Sequence, residues 1–188
     1  MNQGLIPQRY AKALYKVAIE RKCTESLYSM MKNLNGSFES NPDLGRAIEN
    51  PFVAADKKRQ LLCTAAAVDT LTGRDDVASN TFTDFVTLLE RNKRIEYARG
   101  TALAYIDIYR KERNISTVTV TSASTLDTAT SARLMSIIKS QHPDGTIEYQ
   151  EKVDPELIGG FTIAIDNMRL DASIKNELKQ LRLKLLSH

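Results

Sequence analysis

The sequence has 188 residues, 42% hydrophobic and 26% charged, with a formal net charge of +3 at pH 7. This is the composition of a globular chain able to bury a core in one large or two small domains. It excludes a membrane span, because no apolar run approaches the roughly 20 residues a bilayer helix needs. So small a charge excess is not the strongly basic footprint of a nucleic-acid binder.

Met1 to Gln8 lack the basic start and apolar stretch of a secretory or transit signal, so the chain is expected to stay where it is made. Apolar residues then recur at intervals of three and four. Ile6, Tyr10, Ala13, Leu14, Val17 and Ala18 predict a first helix that Pro7 enters at its opening turn. A second helix is predicted from about Thr24 to Phe38, with Leu27, Met30, Met31 and Leu34 inward. Ser40-Asn41-Pro42 ends it, and a short third helix around Leu44 to Ile48 is closed by Asn50-Pro51. The fourth runs from Ala54 to Ala67 with Leu61, Leu62 and Ala65 on one face. The loop Thr72-Gly73-Arg74-Asp75-Asp76 precedes a fifth through Phe82, Phe85, Val86, Leu88 and Leu89. The sixth, about Ile95 to Lys111, groups Ala98, Ala102, Tyr105, Ile106 and Tyr109. Short connections between six helices predict a compact bundle.

At Ile115 the period changes to two. Val118 and Val120 alternate with Thr117, Thr119 and Thr121, which predicts a half-buried strand. Ser124 or Thr125 can cap a helix through Leu126, Leu134, Ile137 and Ile138. A turn at Pro143-Asp144-Gly145 leads to a second strand with Ile147 and Tyr149 inward, and Phe161, Ile163 and Ile165 make a third. An Asp cap then opens a last helix with Leu170, Ile174, Leu178, Leu181 and Leu185 on one stripe. The fold class expected is α+β: an N-terminal six-helix bundle over residues 1–112, followed by a small β-α-β-β-α domain over residues 113–188.

Chemistry is sparse. His142 lies in a polar turn and His188 is the last residue, so neither is placed for proton transfer. Cys23 and Cys63 are isolated and lack the spacing of a metal site, which reads as two small buried apolar residues. Gly159-Gly160 precedes a strand, whereas phosphate loops follow one, so a tight turn or bulge before Phe161 is expected. Asp154 and Glu156 flank Pro155 in a turn and are expected to face solvent. Arg91, Lys93, Arg94 and Arg99 form the densest basic cluster, a favourable set of cations near a helix carboxy terminus. No catalytic residue, cofactor or metal is expected.

Three separated motifs carry a resemblance. Arg9-Tyr10-Ala11-Lys12-Ala13-Leu14-Tyr15-Lys16-Val17-Ala18 stands at the front. Asn50-Pro51 with Lys57-Lys58, and Phe85 to Leu88-Leu89-Glu90-Arg91-Asn92-Lys93-Arg94, lie in the middle. Val153-Asp154-Pro155-Glu156-Leu157-Ile158-Gly159-Gly160-Phe161 runs on to Ile174 near the end. In this order they resemble the delta subunit of F-type ATP synthases, the bacterial relative of the mitochondrial oligomycin-sensitivity-conferring protein. Between Ala54 and Val77 the likeness rests only on helical pattern and Lys57-Lys58.

The resemblance implies a non-catalytic adaptor of the peripheral stalk, the static arm that keeps the catalytic head from turning with the rotor during proton-driven ATP synthesis. One copy would sit in the complex, at the cytoplasmic face of the bacterial inner membrane and without inserting into it. It implies that the helical domain grips the amino-terminal helices of the alpha subunits in a groove between the first and fifth helices, with Tyr10, Ala13 and Leu14 on one wall and Asp84, Phe85 and Leu88 on the other. In the same reading Asn92 helps turn the chain between the fifth and sixth helices. The smaller domain would meet the b subunits, with Lys175, Lys179 and Arg182 as an electrostatic handle. The rival reading is a nucleic-acid-binding or regulatory module using Arg91 to Arg99 and the basic last helix; near-balanced charge and few aromatic stacking residues weigh against it.

Overall fold

The structure is a computed structural model that describes residues 4–68, 77–125, 127–141, 146–166 and 168–186. The chain is a mixed helix-and-sheet protein, divided into two compact units, Met1–Glu112 and Arg113–His188. The expected loop Thr72 to Asp76, Leu126, the turn Pro143-Asp144-Gly145, both histidines and the Ile137 side chain lie outside the described residues. No helix among those described is long and apolar enough to cross a membrane.

The first unit carries helices α1 (Leu5–Glu20), α2 (Thr24–Ser40), α3 (Pro42–Glu49), α4 (Ala55–Ala65), α5 (Val77–Arg91) and α6 (Ala98–Glu112). A single 3-10 turn at Ile95–Tyr97 leads into α6. Both α1 and α2 lie along α6, and small residues make the first contact close. A Cβ on Gly100 would stand 3.1 Å from Pro7 Cγ, and Ala11, Ala18, Ala98 and Ala102 are all fully buried. Larger side chains fill what remains. Tyr105 is fully buried, its ring meets Tyr15 edge-on at 5.7 Å, and its hydroxyl donates to the Thr24 carbonyl at 3.3 Å. Burial holds its phenol far above the ordinary range, because water no longer stabilises the phenolate. Tyr28 stacks on Tyr109 at 4.2 Å. Each such fully buried large apolar side chain contributes about 1.5–3 kcal/mol on the transfer scale.

Three helices end in one device. After α1, α4 and α5 a residue with positive φ (Lys22, Ala67, Lys93) folds the chain back, and the next amide bonds to the carbonyl five residues earlier: Cys23 to Ala18, Val68 to Cys63, Arg94 to Leu89. This is the Schellman closure of orphan carbonyls, here made without glycine.

In the second unit, β1 (Ile115–Ser122) is followed by α7 (Thr128–Gln141), β2 (Thr146–Val153), a 3-10 turn at Pro155–Leu157, β3 (Gly160–Ile165), β4 (Met168–Ser173) and α8 (Ile174–Leu186). The sheet order is β2-β1-β3-β4, with β1 parallel to β2 and the other pairs antiparallel. Val118, Val120 and Ile138 form its buried centre, with Leu134, Ile147, Tyr149, Phe161, Ile163 and Ile165 packed around them.

Four expectations are corrected. The unit has a fourth strand: Asp166 takes positive φ, Ile165 pairs with Met168, and the chain continues as β4 where the stripe Leu170–Ile174 suggested helix. Leu170 alternates with Arg169 and Asp171 in that strand, and its spacing of four from Ile174 is coincidental. The cap of α8 is Ser173, whose Oγ accepts from the Asn176 amide at 3.2 Å while donating to Asp171 Oδ1 at 2.6 Å. In α4 it is Leu62 and Cys63 that are buried, while Leu61 is exposed; Met30 of α2 is only half-buried, and Tyr28 and Phe38 occupy the core beside Leu27, Met31 and Leu34. Both cysteines are free and buried, and burial raises the Cys63 thiol above its ordinary value.

Gly160 opens β3 at φ +74°, and a Cβ there would stand 2.3 Å from the Ala172 carbonyl oxygen. Gly160→Ala is therefore expected to lower stability by about 1–3 kcal/mol, the cost of a left-handed non-glycine residue. A urea denaturation midpoint equal to that of the parent would contradict this account of the β3–β4 ladder.

Candidate functional site

Helices α1 and α5 run antiparallel, since Tyr10 near the start of α1 meets Asn92 just beyond α5, and Arg21 just beyond α1 meets Asp84 midway along α5. Between them lies a depression of about 190 Å³ lined by Tyr10, Ala13, Leu14, Val17, Arg21, Thr81, Asp84, Phe85 and Leu88. All six wall residues expected from sequence are thus brought to one groove.

The helical wheel of α1 explains why. The core takes Pro7, Ala11, Leu14 and Ala18, leaving Tyr10 and Val17 half-buried and Ala13 exposed. What reads as one apolar stripe is two adjacent ones, a core stripe and a groove stripe that share Leu14. On α5, Ala78, Phe82, Phe85, Val86 and Leu89 are buried, whereas Leu88 is 48% exposed. Leu14 and Phe85 therefore form the floor, with Phe85 held edge-on to Phe82 at 6.2 Å. Ala13 and Leu88 form the rims, and small Ala13 leaves room above the floor.

The two ends are polar and built from the Schellman turns. At one, Arg21 Nη1 donates to Thr81 Oγ1 at 3.0 Å and to Asp84 Oδ2 at 2.9 Å, while Thr81 donates to the Val77 carbonyl at 2.7 Å. With side chains 42% and 66% exposed, this ion pair is worth at most about 1 kcal/mol; it orients Arg21 more than it stabilises the fold. At the other end the Tyr10 hydroxyl accepts from Asn92 Nδ2 at 2.9 Å and Arg94 Nη1 at 3.4 Å, with the Arg94 guanidinium over its ring.

Asn92 lies in the turn that follows α5, whose left-handed residue is Lys93, and its side-chain amide also ties α1 to the end of α5. Val17, Arg21, Thr81 and Arg94 were not foreseen as groove residues. Val17 and Arg21 do continue the spacing of Ala13 and Leu14 by four and seven, a signal present in the sequence. The locking of Tyr10 by two residues more than eighty positions away had no local signal.

The basic cluster divides: Arg94 lies against Tyr10, whereas Arg99 lies over Phe38. A larger depression of about 580 Å³ beside Arg99 also takes in Glu49 and Glu96. Its mixed charges lack the continuous apolar floor of the α1–α5 groove, so it is the weaker candidate. In the second unit, Asp154 Oδ1 accepts from the Glu156 amide at 3.0 Å, and Glu156 pairs with Lys175 at 3.4 Å. These carboxylates secure the 3-10 turn and the start of α8. Lys175, Lys179 and Arg182 are exposed along α8, and so are Leu178, Leu181 and Leu185; the leucine stripe faces outward.

A mixed helix-and-sheet chain with an apolar groove between two helices, closed by polar ends, has the geometry that helix-in-groove recognition uses. Comparison with known proteins identifies its family. Residues 6–185 match the family described as ATP synthase delta (OSCP) subunit. The chain is 34% identical to the ATP synthase subunit delta of Parabacteroides distasonis over all of this chain and 99% of that one. It is 32% identical to that of Phocaeicola vulgatus over 98% and 95%. A chain in the cryo-EM structure of the Toxoplasma gondii mitochondrial ATP synthase hexamer shares the fold with a TM-score of 0.70 at 18% identity, covering 99% of this chain and 98% of that one. This chain belongs to the ATP synthase delta (OSCP) subunit family, and its role is that of a peripheral-stalk subunit.

Replacing Tyr10 by Phe removes the acceptor shared by Asn92 and Arg94. The expected result is a loss of about 0.5–1 kcal/mol of stability, the usual net worth of such a bond, read as a lowered urea midpoint. An unshifted midpoint would show that the hydroxyl does not hold α1 to α5.

Proposed function

We propose that this chain is the non-catalytic adaptor of the stalk: the unit of residues 1–112 is a six-helix bundle that receives the amino-terminal helix of an alpha subunit, and the unit of residues 113–188 meets the b subunits. One copy joins the head to the stalk at the cytoplasmic face of the bacterial inner membrane, without entering the bilayer, and resists rotor torque. The observation that carries this reading is the α1–α5 groove, whose floor is Leu14 and Phe85 and whose rims are Ala13 and Leu88.

The physics is helix-in-groove recognition. An amphipathic helix places apolar anchors at i, i+3, i+4 and i+7 between two receiving helices, and docking supplies the burial that a short helix lacks alone. Ala13 admits close approach, Leu88 and Phe85 supply buried area, and Tyr10 and Asp84 set the polar limits. On α8, Lys175, Lys179 and Arg182 lie at spacings of four and three, beside the outward leucines. An apolar stripe flanked by cations fits an amphipathic acidic tail of the b subunits, and exposed apolar surface of this kind marks an interaction site.

Ala13→Asp places a charge on an exposed rim and is expected to leave helical circular dichroism unchanged while weakening binding of a peptide from the amino terminus of the alpha subunit at least about tenfold, or ~1.4 kcal/mol. Calorimetric titration of the full chain reads this directly, and unchanged affinity in a folded variant removes the groove assignment. The double variant Leu178→Asp, Leu181→Asp is expected to abolish capture of a tail peptide of the b subunits, taken from their carboxy-terminal end, and to leave alpha-peptide affinity intact. Retained capture would dismiss α8 as the stalk-facing surface.

A further inference from the structure

Ile158, in the second unit, is out of place by two separate measures. It is β-branched yet takes φ +66°, a left-handed conformation that is a genuine outlier for such a side chain. The side chain is also 67% exposed, so burial within the chain does not offset the strain. Its neighbours are ordinary by comparison. Leu157 is buried and roots the turn, and Gly160, two residues on, meets the same demand for positive φ with glycine.

What imposes the conformation is the turn. Asp154 Oδ1 accepts from the Glu156 amide at 3.0 Å. The Asp154 amide donates to the Ser122 carbonyl at 2.8 Å, and the Ile158 amide to the Pro155 carbonyl at 3.2 Å. The next residue is pinned to α8: the Ile174 amide donates to the Gly159 carbonyl at 3.0 Å, and a Cβ on Gly159 would stand 2.6 Å from Ile174 Cδ1. Lys175 Nζ meets Glu156 Oε2 at 3.4 Å. Backbone strain over-determined in this way clusters at ligand clamps.

Ile174, beside that turn, begins an exposed series. Ile174, Leu178, Leu181 and Leu185 recur at four, three and four residues, the period of a coiled-coil seam. Directly flanking them are Lys175, Glu177, Arg182 and Lys184, three cations against one anion. The complementary occupant is a single α-helix with acidic residues beside its own apolar seam. From Ile174 to Leu185 the rise is about 16 Å, and a helix pair so short is marginal. An apolar anchor at the Ile174 end lengthens it.

We infer that Ile158 is an anchor for that occupant: the strained turn holds its side chain out at the head of the α8 seam, where a docked acidic amphipathic helix covers Ile158 and Ile174 together. This rests on the reading that α8 meets the b subunits, and it adds a contact outside α8 that the reading leaves open. The strain lowers the stability of the free chain and is kept because the side chain it presents is buried in the complex.

The test titrates the full-length chain and its Ile158→Gly and Ile158→Leu variants with a synthetic peptide from the carboxy-terminal end of the b subunits of the same source. Glycine adopts positive φ freely. Ile158→Gly is therefore expected to slow hydrogen exchange at the Val118 and Val120 amides about threefold or more, because the sheet unit opens less often. The same variant is expected to bind the peptide about tenfold more weakly, the loss of a buried anchor. Ile158→Leu, apolar but unbranched at Cβ, should keep affinity within about threefold. Exchange that is unchanged or faster in Ile158→Gly overturns the inference, and so does parental affinity in that variant. Ile158→Leu binding as weakly as Ile158→Gly overturns it too. These results leave the α8 reading standing if the parent binds and Leu178→Asp with Leu181→Asp does not. A parent chain that ignores the peptide, or binding that survives the double variant, overturns both.

Discussion

Close contact between α1 and α6 sets everything that follows in the helical unit. Alanine and glycine line that contact, and at Gly100 even one added carbon would press on Pro7. Helices that approach through small residues have little freedom to rotate, since any larger side chain turned into the seam would push them apart. The rotation of α1 is therefore determined on its α6 side. Tyr10, Ala13 and Val17 are left facing away from the seam, where α5 can wall them only on one side. The groove is a by-product of where the small residues are, and its depth follows from the floor residues Leu14 and Phe85, which the core already holds in place.

Rigidity at the ends follows from chain reversals. Lys22 and Lys93 close α1 and α5 in the left-handed conformation, and these turns deliver Arg21, Asn92 and Arg94 to the groove mouths. In the adaptor role proposed, a groove already formed before its partner arrives spares binding the free energy of ordering the receptor.

The second unit solves a different problem. Its sheet has one dry centre around Val118 and Val120, while β4 and α8 carry Met168, Leu170, Leu178, Leu181 and Leu185 outward. Asp171, Ser173 and Asn176 lock the strand-to-helix joint, so α8 starts at a defined residue and presents its leucines and cations as adjacent stripes. An outward leucine stripe of that length is costly in water and gains its stabilisation when covered.

Much of this was legible in one dimension. Helical periodicity, the change of period at Ile115 and the glycine pair before Phe161 each reflect local constraints, namely side-chain burial every 3.6 or two residues and the φ that only glycine adopts easily. The six wall residues came from motif resemblance, and the same stripes by periodicity alone read as core. What tertiary structure decided was the partition of those stripes. Leu14 and Leu88 are equally apolar in sequence, yet one is buried and one open, because burial depends on which neighbour covers a face. The fourth strand was missed because Leu170 fits both a strand alternation and a helical spacing, and only the pairing of Ile165 with Met168 separates them. The links of Tyr10 to Asn92 and of Arg21 to Asp84 span 82 and 63 positions; periodicity is blind to such distances, and only packing brings those residues together.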